Sequence, residues 1–162
     1  MSKKVTTAPP KKNLKITLIL FLAIVIGIFL FMLASVLIIQ TRGALMPDLN
    51  KNRVILIAII TAISFACLLG AKVLMAKGVA AAKNSLNPLN DKLNEHRSAL
   101  IKYLVICEMP VMLGIILFLL TGDFIFQVFA AVFIGFMLSM APTKKRVTDQ
   151  LQLDWQQQGE LK

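Results

Sequence analysis

The amino-acid sequence predicts an all-α, polytopic membrane protein with four transmembrane helices in an up-down bundle and a cytoplasmic helical hairpin extension. The 162-residue chain is 57% hydrophobic and only 16% charged. A soluble domain averages about 45–50% apolar and about 25% charged residues. The apolar residues are concentrated in four long stretches, and all 18 Lys and Arg residues lie outside them. Together these observations favour a chain that is embedded in a bilayer over a soluble domain.

The four apolar stretches are Ile16–Ile39, Val54–Ala71, Tyr103–Leu120 and Phe124–Met140. A helix of about 20 apolar residues spans a hydrocarbon core ~30 Å thick. The first stretch is long enough to span with tilt, and the fourth is the shortest. We therefore predict a membrane domain over residues 16–141, with spans at about 16–39, 54–76, 100–120 and 124–141.

Both ends of the chain are predicted to be polar tails in the cytoplasm. Residues 1–15 carry five lysines and two adjacent prolines, which is typical of a basic disordered tail. Residues 142–162 form the second tail. The lysines before Ile16–Ile39 resemble the start of a signal peptide, whose apolar region has about 7–15 residues and ends in a cleavage site of small residues. Ile16–Ile39 is longer and lacks that site, so we predict that it is a retained span.

The second and third helices are predicted to extend beyond the membrane as a helical hairpin. Small residues between Lys77 and Lys83 favour a continued helix, which the segment 84–88 then breaks through its Asn, Ser and Pro residues. Asn90 or Asp91 is the predicted start of the third helix, because apolar residues recur at helical spacing after it.

The distribution of positive charge predicts the orientation. Fifteen basic residues fall on the side of the two termini and of the hairpin, and three fall on the other side. By the positive-inside rule, the side with more Lys and Arg is cytoplasmic. This predicts a multi-pass protein of the bacterial inner membrane with both termini in the cytoplasm. The net charge of +10 then indicates lipid headgroups, not nucleic acid, as its partner.

Glu108 is the only acidic residue inside the four apolar stretches. A charge at the centre of a transmembrane helix costs about 2.5–3.5 kcal/mol on insertion scales, so such a residue is a candidate for function. Lys72 is expected at a similar depth on the antiparallel second helix. Pro110 leaves a backbone carbonyl without a donor and is expected to kink the third helix. The sequence thus predicts a candidate buried polar or ion site of Glu108, Lys72 and Pro110.

Three roles remain open for Glu108. It can hold two helices together through a hydrogen bond or an ion pair, with Lys72 as the first candidate partner. It can carry a proton or a cation, or it can line a polar ligand pocket. Gln127, one turn into the fourth helix, is a further residue that can form hydrogen bonds between helices.

Small residues recur every four positions along the second predicted span, at Ala58, Ala62, Ala66 and Gly70. Small side chains let helix backbones approach closely, which favours helix association in lipid. We predict that this small-residue ridge packs against another helix, from this chain or from a second copy. The fourth helix repeats the pattern with Ala131, Gly135 and Ser139.

The sequence offers little support for enzyme chemistry, a metal or a cofactor. Cys67 and Cys107 both fall within the predicted spans and are typical apolar fillers. His96 is the only histidine, and it is predicted to be solvated in a polar loop. The chain has no Gly-rich phosphate loop and neither of the common hydrolase motifs, G-x-S-x-G and H-E-x-x-H.

The stretch from Arg97 to Lys145 contains the elements R-S-A-L-I, C-E-M-P, F-L-L-T-G-D and P-T-K-K. With these elements it resembles a group of small uncharacterised bacterial four-helix integral membrane proteins. In that group a Glu-x-Pro, a Leu-Thr-Gly turn and a Pro-Thr-Lys exit recur. The resemblance covers about the last third of the chain. It implies a four-helix membrane fold and brings no activity with it.

A second resemblance is to the proteolipid ring subunit of rotary ATPases. The shared features are a ridge of small residues, a polar loop with Asn87-Pro88 and a helix with a carboxylate inside the membrane. The resemblance implies that Glu108 carries an ion. This chain departs from the pattern because its ridge consists mainly of alanines, Lys72 interrupts it and further helices flank the hairpin.

The function predicted from these observations is a structural or accessory membrane subunit that packs against other helices or forms a homo-oligomer. The alternative is a proton- or ion-coupling or transport module centred on Glu108. The two hypotheses differ in whether Glu108 faces a dry helix interface or a polar cavity that solvent can reach.

Overall fold

The computed structural model describes residues 9–84 and 88–159, and almost all of them are helical. Six α-helices and a short 3₁₀ helix follow one another along these residues. The α-helices are α1 (Pro10–Arg42), α2 (Arg53–Asn84), α3 (Leu89–Thr121), α4 (Phe124–Ser139), α5 (Lys144–Leu151) and α6 (Trp155–Gly159); the 3₁₀ helix, Pro47–Asn52, leads directly into α2. The predicted all-α class is therefore confirmed.

Three helical segments are long and apolar enough to cross a membrane: Pro10–Arg42, Pro47–Asn84 and Leu89–Thr121. A fourth crossing exists if α4 and α5, which meet at a bend of 68°, are counted as one broken span. On its own, α4 has 16 residues and a length of about 24 Å, which is below the ~30 Å of a hydrocarbon core. These three to four apolar helices are those of a membrane-embedded protein.

The observed helix ends match the predicted ones in the middle of the chain and differ from them near both termini. As predicted, α2 continues past its apolar stretch, to Asn84, and α3 begins soon afterwards, at Leu89. The start of α1 at Pro10 was not predicted. Proline suits the first position of a helix because its φ angle is already helical and its missing N–H is not needed there. Residues 10–15 are thus helical, while residues 1–8 of the predicted tail lie outside the described residues.

The second predicted tail also contains structure. The Thr143 side chain accepts a hydrogen bond from the backbone N–H of Arg146 and caps α5. Val147 and Leu151 lie four residues apart on one face of α5, and both are buried. They form a cluster with Ala82 of α2 and with Leu89 and Leu93 at the start of α3, so that α5 folds back onto the outer ends of these helices.

The centre of the fold is α3. It packs against α2, α4 and α1, whereas α1 and α2 have little contact with each other. The buried face of α3 is broad, whereas α1 and α2 each bury only a narrow stripe. Large apolar side chains fill the core along α3, including Tyr103, Leu104, Ile115 and Phe118. The consecutive helices α1 and α2 are therefore held together mainly through a third helix.

Two glycines allow neighbouring helices to approach closely: one lies between α2 and α3, and the other between α3 and α4. A Cβ atom added at Gly78 of α2 would lie 2.4 Å from Cβ of Ala99 on α3. A Cβ atom added at Gly114 of α3 would lie 2.9 Å from the carbonyl oxygen of Phe126 on α4. Real side chains do not tolerate such distances, so the two helix pairs approach as closely as they do because these positions are glycine.

The contacts between helices define two ends of the molecule. At one end, called the basic end here, Asn13 of α1 meets Asn94 of α3, and α5 covers Ala82 of α2. At the opposite end the backbone N–H groups of Leu45 and Met46 donate to carbonyl groups at the end of α3, and Arg53 forms an ion pair of 2.7 Å with Asp123. The start of α1 and helix α5 thus lie at the same end.

Candidate functional site

Glu108 lies on the outer side of α3 and is half-buried. It lines a shallow hollow of about 400 Å³, all of whose lining residues belong to α3: Val105, Met109, Met112, Leu113 and Ile116. Apart from Glu108, every one of these side chains is apolar. Glu108 therefore lies beside a surface that lipid occupies in a membrane, and among the described residues it has no ion-pair partner.

The structure does not bring Lys72 to Glu108. Lys72 is exposed on α2, and no ion pair joins it to Glu108. Its neighbour Ala71 is fully buried against α3. Successive residues of an α-helix are about 100° apart around the axis, so Lys72 points away from the interface into which Ala71 points. The similar depth that suggested a pair does not give the two side chains a common direction.

Pro110 is buried in the core, and α3 continues through it as one helix from Leu89 to Thr121. It therefore lies on a different side of α3 from the half-buried carboxylate of Glu108. The three residues of the predicted ion site lie within or near the apolar segments of α2 and α3. They do not line a common cavity.

The small-residue ridge of α2 is exposed along its whole length. Ala58, Ala62, Ala66 and Gly70 all lie on the surface, and a Cβ atom added at Gly70 would have no neighbour within 4 Å. The buried stripe of α2 is a different one, formed by residues that include Ile60, Ala71 and Met75. The predicted close packing of the ridge is thus not made within this chain, and packing against a second chain stays a prediction.

The shorter series on α4 is exposed as well. Ala131, Gly135 and Ser139 all lie on the surface, and a Cβ atom added at Gly135 would meet no other atom within 4 Å. Like the ridge of α2, this series is not covered by another helix of the chain. Both stripes are therefore free to approach helices outside it.

Gln127 connects α4 to α1 inside the apolar core. Its side-chain nitrogen donates to the carbonyl oxygen of Met32 at 2.9 Å and lies 3.4 Å from the hydroxyl oxygen of Ser35. The residue is only 4% exposed. A buried amide costs free energy unless it is hydrogen-bonded. These bonds therefore provide the interhelical contact that the sequence suggested for Gln127, and they give it a structural role.

A second polar cluster, at the basic end, was not predicted from the sequence. The amide of Asn13 donates to the side-chain oxygen of Asn94 at 2.9 Å and accepts a hydrogen bond from the guanidinium of Arg97 at 3.1 Å. Asn13 itself is buried. The one hint in the sequence was a polar residue three positions before the first apolar stretch. These bonds hold the first turn of α1 against α3 outside the apolar segment.

His96 is also part of the basic end, where it is 3% exposed instead of solvated as predicted. Its Nε2 atom lies 2.7 Å from the side-chain oxygen of Gln150 on α5. Burial lowers the pKa of His96 because desolvation disfavours the charged form, and the hydrogen bond with Gln150 partly opposes this effect. The imidazole is therefore neutral near pH 7, and as the Nε2–H tautomer it donates to Gln150. This bond links α5 to α3.

Within residues 9–84 and 88–159, no group of three or more His, Cys, Asp or Glu side chains is arranged so that it could hold a metal ion. Both cysteines are free thiols. Comparison of the chain with protein-family models, with curated proteins and with solved structures finds no match. The exposed ridge, the isolated carboxylate and the basic end are the features of the fold that bear on function.

Proposed function

We propose that this chain is an accessory subunit of the bacterial inner membrane that acts by packing the small-residue ridge of α2 against other membrane helices. The observation that supports this proposal is the exposure of Ala58, Ala62, Ala66 and Gly70 on one side of α2. A helix surface of small residues offers lipid chains little to pack against, whereas another helix can approach it closely. Nothing in the described part of the chain covers this surface.

The proposed topology places the basic end in the cytoplasm, with four crossings and both termini on that side. The support is the positive-inside rule together with the common position of Asn13 and α5 at one end of the fold. Reporter domains fused after residue 162 and within residues 43–52 are expected to report opposite sides of the membrane. A C-terminal fusion that reports the periplasmic side would contradict the four-crossing topology.

The proposed role of the ridge is tested by replacing its small side chains with larger ones. Replacing Ala62 and Ala66 together with leucine is expected to reduce assembly with the partner, because two added side chains prevent close backbone approach. Cross-linking in membranes and particle size after extraction in mild detergent measure this. The matched control is Ala34→Leu, the same change at an exposed position of α1.

The control variant is expected to assemble as the unchanged protein does. Because the ridge is exposed in the described part of the chain, the free energy of unfolding of the Ala62→Leu/Ala66→Leu monomer should stay within about 0.5 kcal/mol of the original. Unchanged cross-linking and particle size in that variant would show that the ridge faces lipid and would exclude the proposed function.

The alternative function is ion coupling centred on Glu108. It is favoured by one observation, the carboxylate in an otherwise apolar hollow on the outer surface of α3. Such a residue can take up a proton or cation where a partner subunit supplies a polar path. Loss of ion flux in Glu108→Gln, together with unchanged assembly, would favour this alternative over the accessory role.

A further inference from the structure

A hollow between α2 and α3 lies where both helices leave their apolar stretches. Its volume of about 370 Å³ is within the range of small-molecule sites, about 300–1,000 Å³. Its polar lining consists of Lys77 from α2 and of Glu95, Ser98 and Lys102 from α3. Gly78 and Ala99 also line the hollow, and they lie in close contact. A larger residue at position 78 would push the two helices apart.

The charged side chains of this hollow have no partners among the described residues. Lys77 and Lys102 are exposed and Glu95 is half-buried, yet none of the three takes part in an ion pair. Charged groups that converge on a concavity without neutralising one another are available to a ligand. Two ammonium groups and one carboxylate suit a molecule with both an anionic and a cationic group.

The charges are ordered along the membrane normal. Lys102 directly precedes the apolar stretch of α3, and Lys77 follows the apolar part of α2. Glu95 lies seven residues before Lys102, which is about 10 Å farther from the membrane along the helix. The cationic part of the hollow is thus next to the hydrocarbon and the anionic part lies outside it. A phospholipid headgroup with a terminal amine has the opposite charges in the same order, its phosphate inside and its ammonium outside.

We propose that this hollow is a binding site for an amine-bearing phospholipid of the phosphatidylethanolamine class. Its phosphate is held by Lys77 and Lys102, and its ammonium group is held by Glu95. The acyl chains run along the apolar surface of α3 that follows Lys102, past Val105. The site does not use the ridge of α2, so it stands independently of the proposed accessory function.

A second and smaller hollow, of about 140 Å³, lies at the opposite end of the same two helices. Its lining residues include Ile59 and Ile60 of α2 and Ile116 of α3. Each lies 18 residues from its counterpart in the first hollow: Lys77, Gly78 and Ser98, respectively. Eighteen residues are five helical turns, about 27 Å, so both hollows lie on one face, near the two surfaces of a ~30 Å hydrocarbon core. Of these two hollows, the one with Lys77 and Lys102 has charged lining residues, and the other is lined by Leu and Ile alone.

The test is lipid binding to the full chain, freed of lipid in mild detergent, by native mass spectrometry. Added phosphatidylethanolamine is expected to bind more tightly than phosphatidylglycerol or phosphatidylcholine. Lys77→Gln/Lys102→Gln is expected to weaken its binding at least tenfold, since a hydrogen bond to a charged group contributes about 1.5–3 kcal/mol and about 1.4 kcal/mol is tenfold. Glu95→Gln is expected to remove the preference over phosphatidylglycerol.

The matched control is Lys83→Gln/Lys92→Gln, which makes the same change of charge on the same helices outside the hollow. This control is expected to bind as the original chain does, and Lys77→Arg/Lys102→Arg is expected to retain binding. An equal loss of lipid binding in the control would show that basic residues attract the phosphate group regardless of their position, and it would overturn the proposed site. Unchanged binding in Lys77→Gln/Lys102→Gln, or an unchanged preference in Glu95→Gln, would overturn it as well.

Discussion

Gly78→Ala is expected to destabilise the protein, whereas Gly70→Ala is expected to stabilise it. Both glycines lie in α2, where alanine is the better helix former by up to about 1 kcal/mol. At Gly70 the new Cβ atom meets nothing within 4 Å, so this gain is kept. At Gly78 it would lie 2.4 Å from Cβ of Ala99, an atom fixed to the backbone of α3. The two helices must then separate, at a cost of about 1–3 kcal/mol for overpacking.

The measurement is thermal and denaturant-induced unfolding of both variants in one detergent. The two single substitutions are chemically identical and lie in the same helix, so their difference isolates the contact with α3. Gly114→Ala is a second case, with an expected loss of stability because its Cβ atom would lie 2.9 Å from a backbone oxygen of α4. Equal effects at positions 78 and 70 would contradict the close approach of α2 and α3.

Glu108→Gln is expected to leave the free chain as stable as before or to raise its stability by up to about 2 kcal/mol. Among the described residues Glu108 has no ion-pair partner, and it lines an otherwise apolar hollow, so a neutral amide at this position removes no favourable charge interaction within the chain. If Glu108 instead formed a buried ion pair, its loss would destabilise the protein, and such a loss costs about 3–5 kcal/mol in soluble proteins. The sign of the change therefore distinguishes the two arrangements.

A double-mutant cycle with Lys72→Met completes this test, again by unfolding in detergent. Because Lys72 points away from α3, we expect a coupling energy of zero within about 0.5 kcal/mol. A destabilised Glu108→Gln variant that Lys72→Met restores would show the ion pair that the structure lacks. If the full assembly, unlike the free chain, loses stability in Glu108→Gln, the partner of the carboxylate belongs to another subunit.

The sequence predicts the long helices because their causes are local. Apolar stretches set the spans, and α2 ends at Asn84, where the sequence predicts a break from the Asn, Ser and Pro residues of segment 84–88. The helix in the C-terminal tail was missed, although its cap Thr143 and the buried pair Val147 and Leu151 could have indicated it. That pair is stable only against the surface of α2 and α3, which the sequence does not display.

The candidate site was less accessible from sequence, because depth along a helix does not give direction around it. Lys72 and Glu108 were predicted at a similar depth, but Lys72 is exposed on α2 and forms no ion pair with Glu108. For the ridge, the direction around the helix could be predicted, but the neighbouring surface could not. Its spacing correctly places four small residues along one side of α2, but periodicity alone does not say what covers that side. His96 and Asn13 are buried by contacts between residues more than 50 positions apart, which no local pattern contains.

The central position of α3 has a consequence for biosynthesis. A chain that has emerged from the ribosome as far as Asn84 has its first two apolar helices in the bilayer, but these helices have little contact with each other. Ser64, which is buried in the finished fold, then faces lipid. Stable pairing begins only when α3 enters, so the first half of the protein is inserted before it can fold. During that interval the stripes of α1 and α2 that α3 later covers are in contact with lipid.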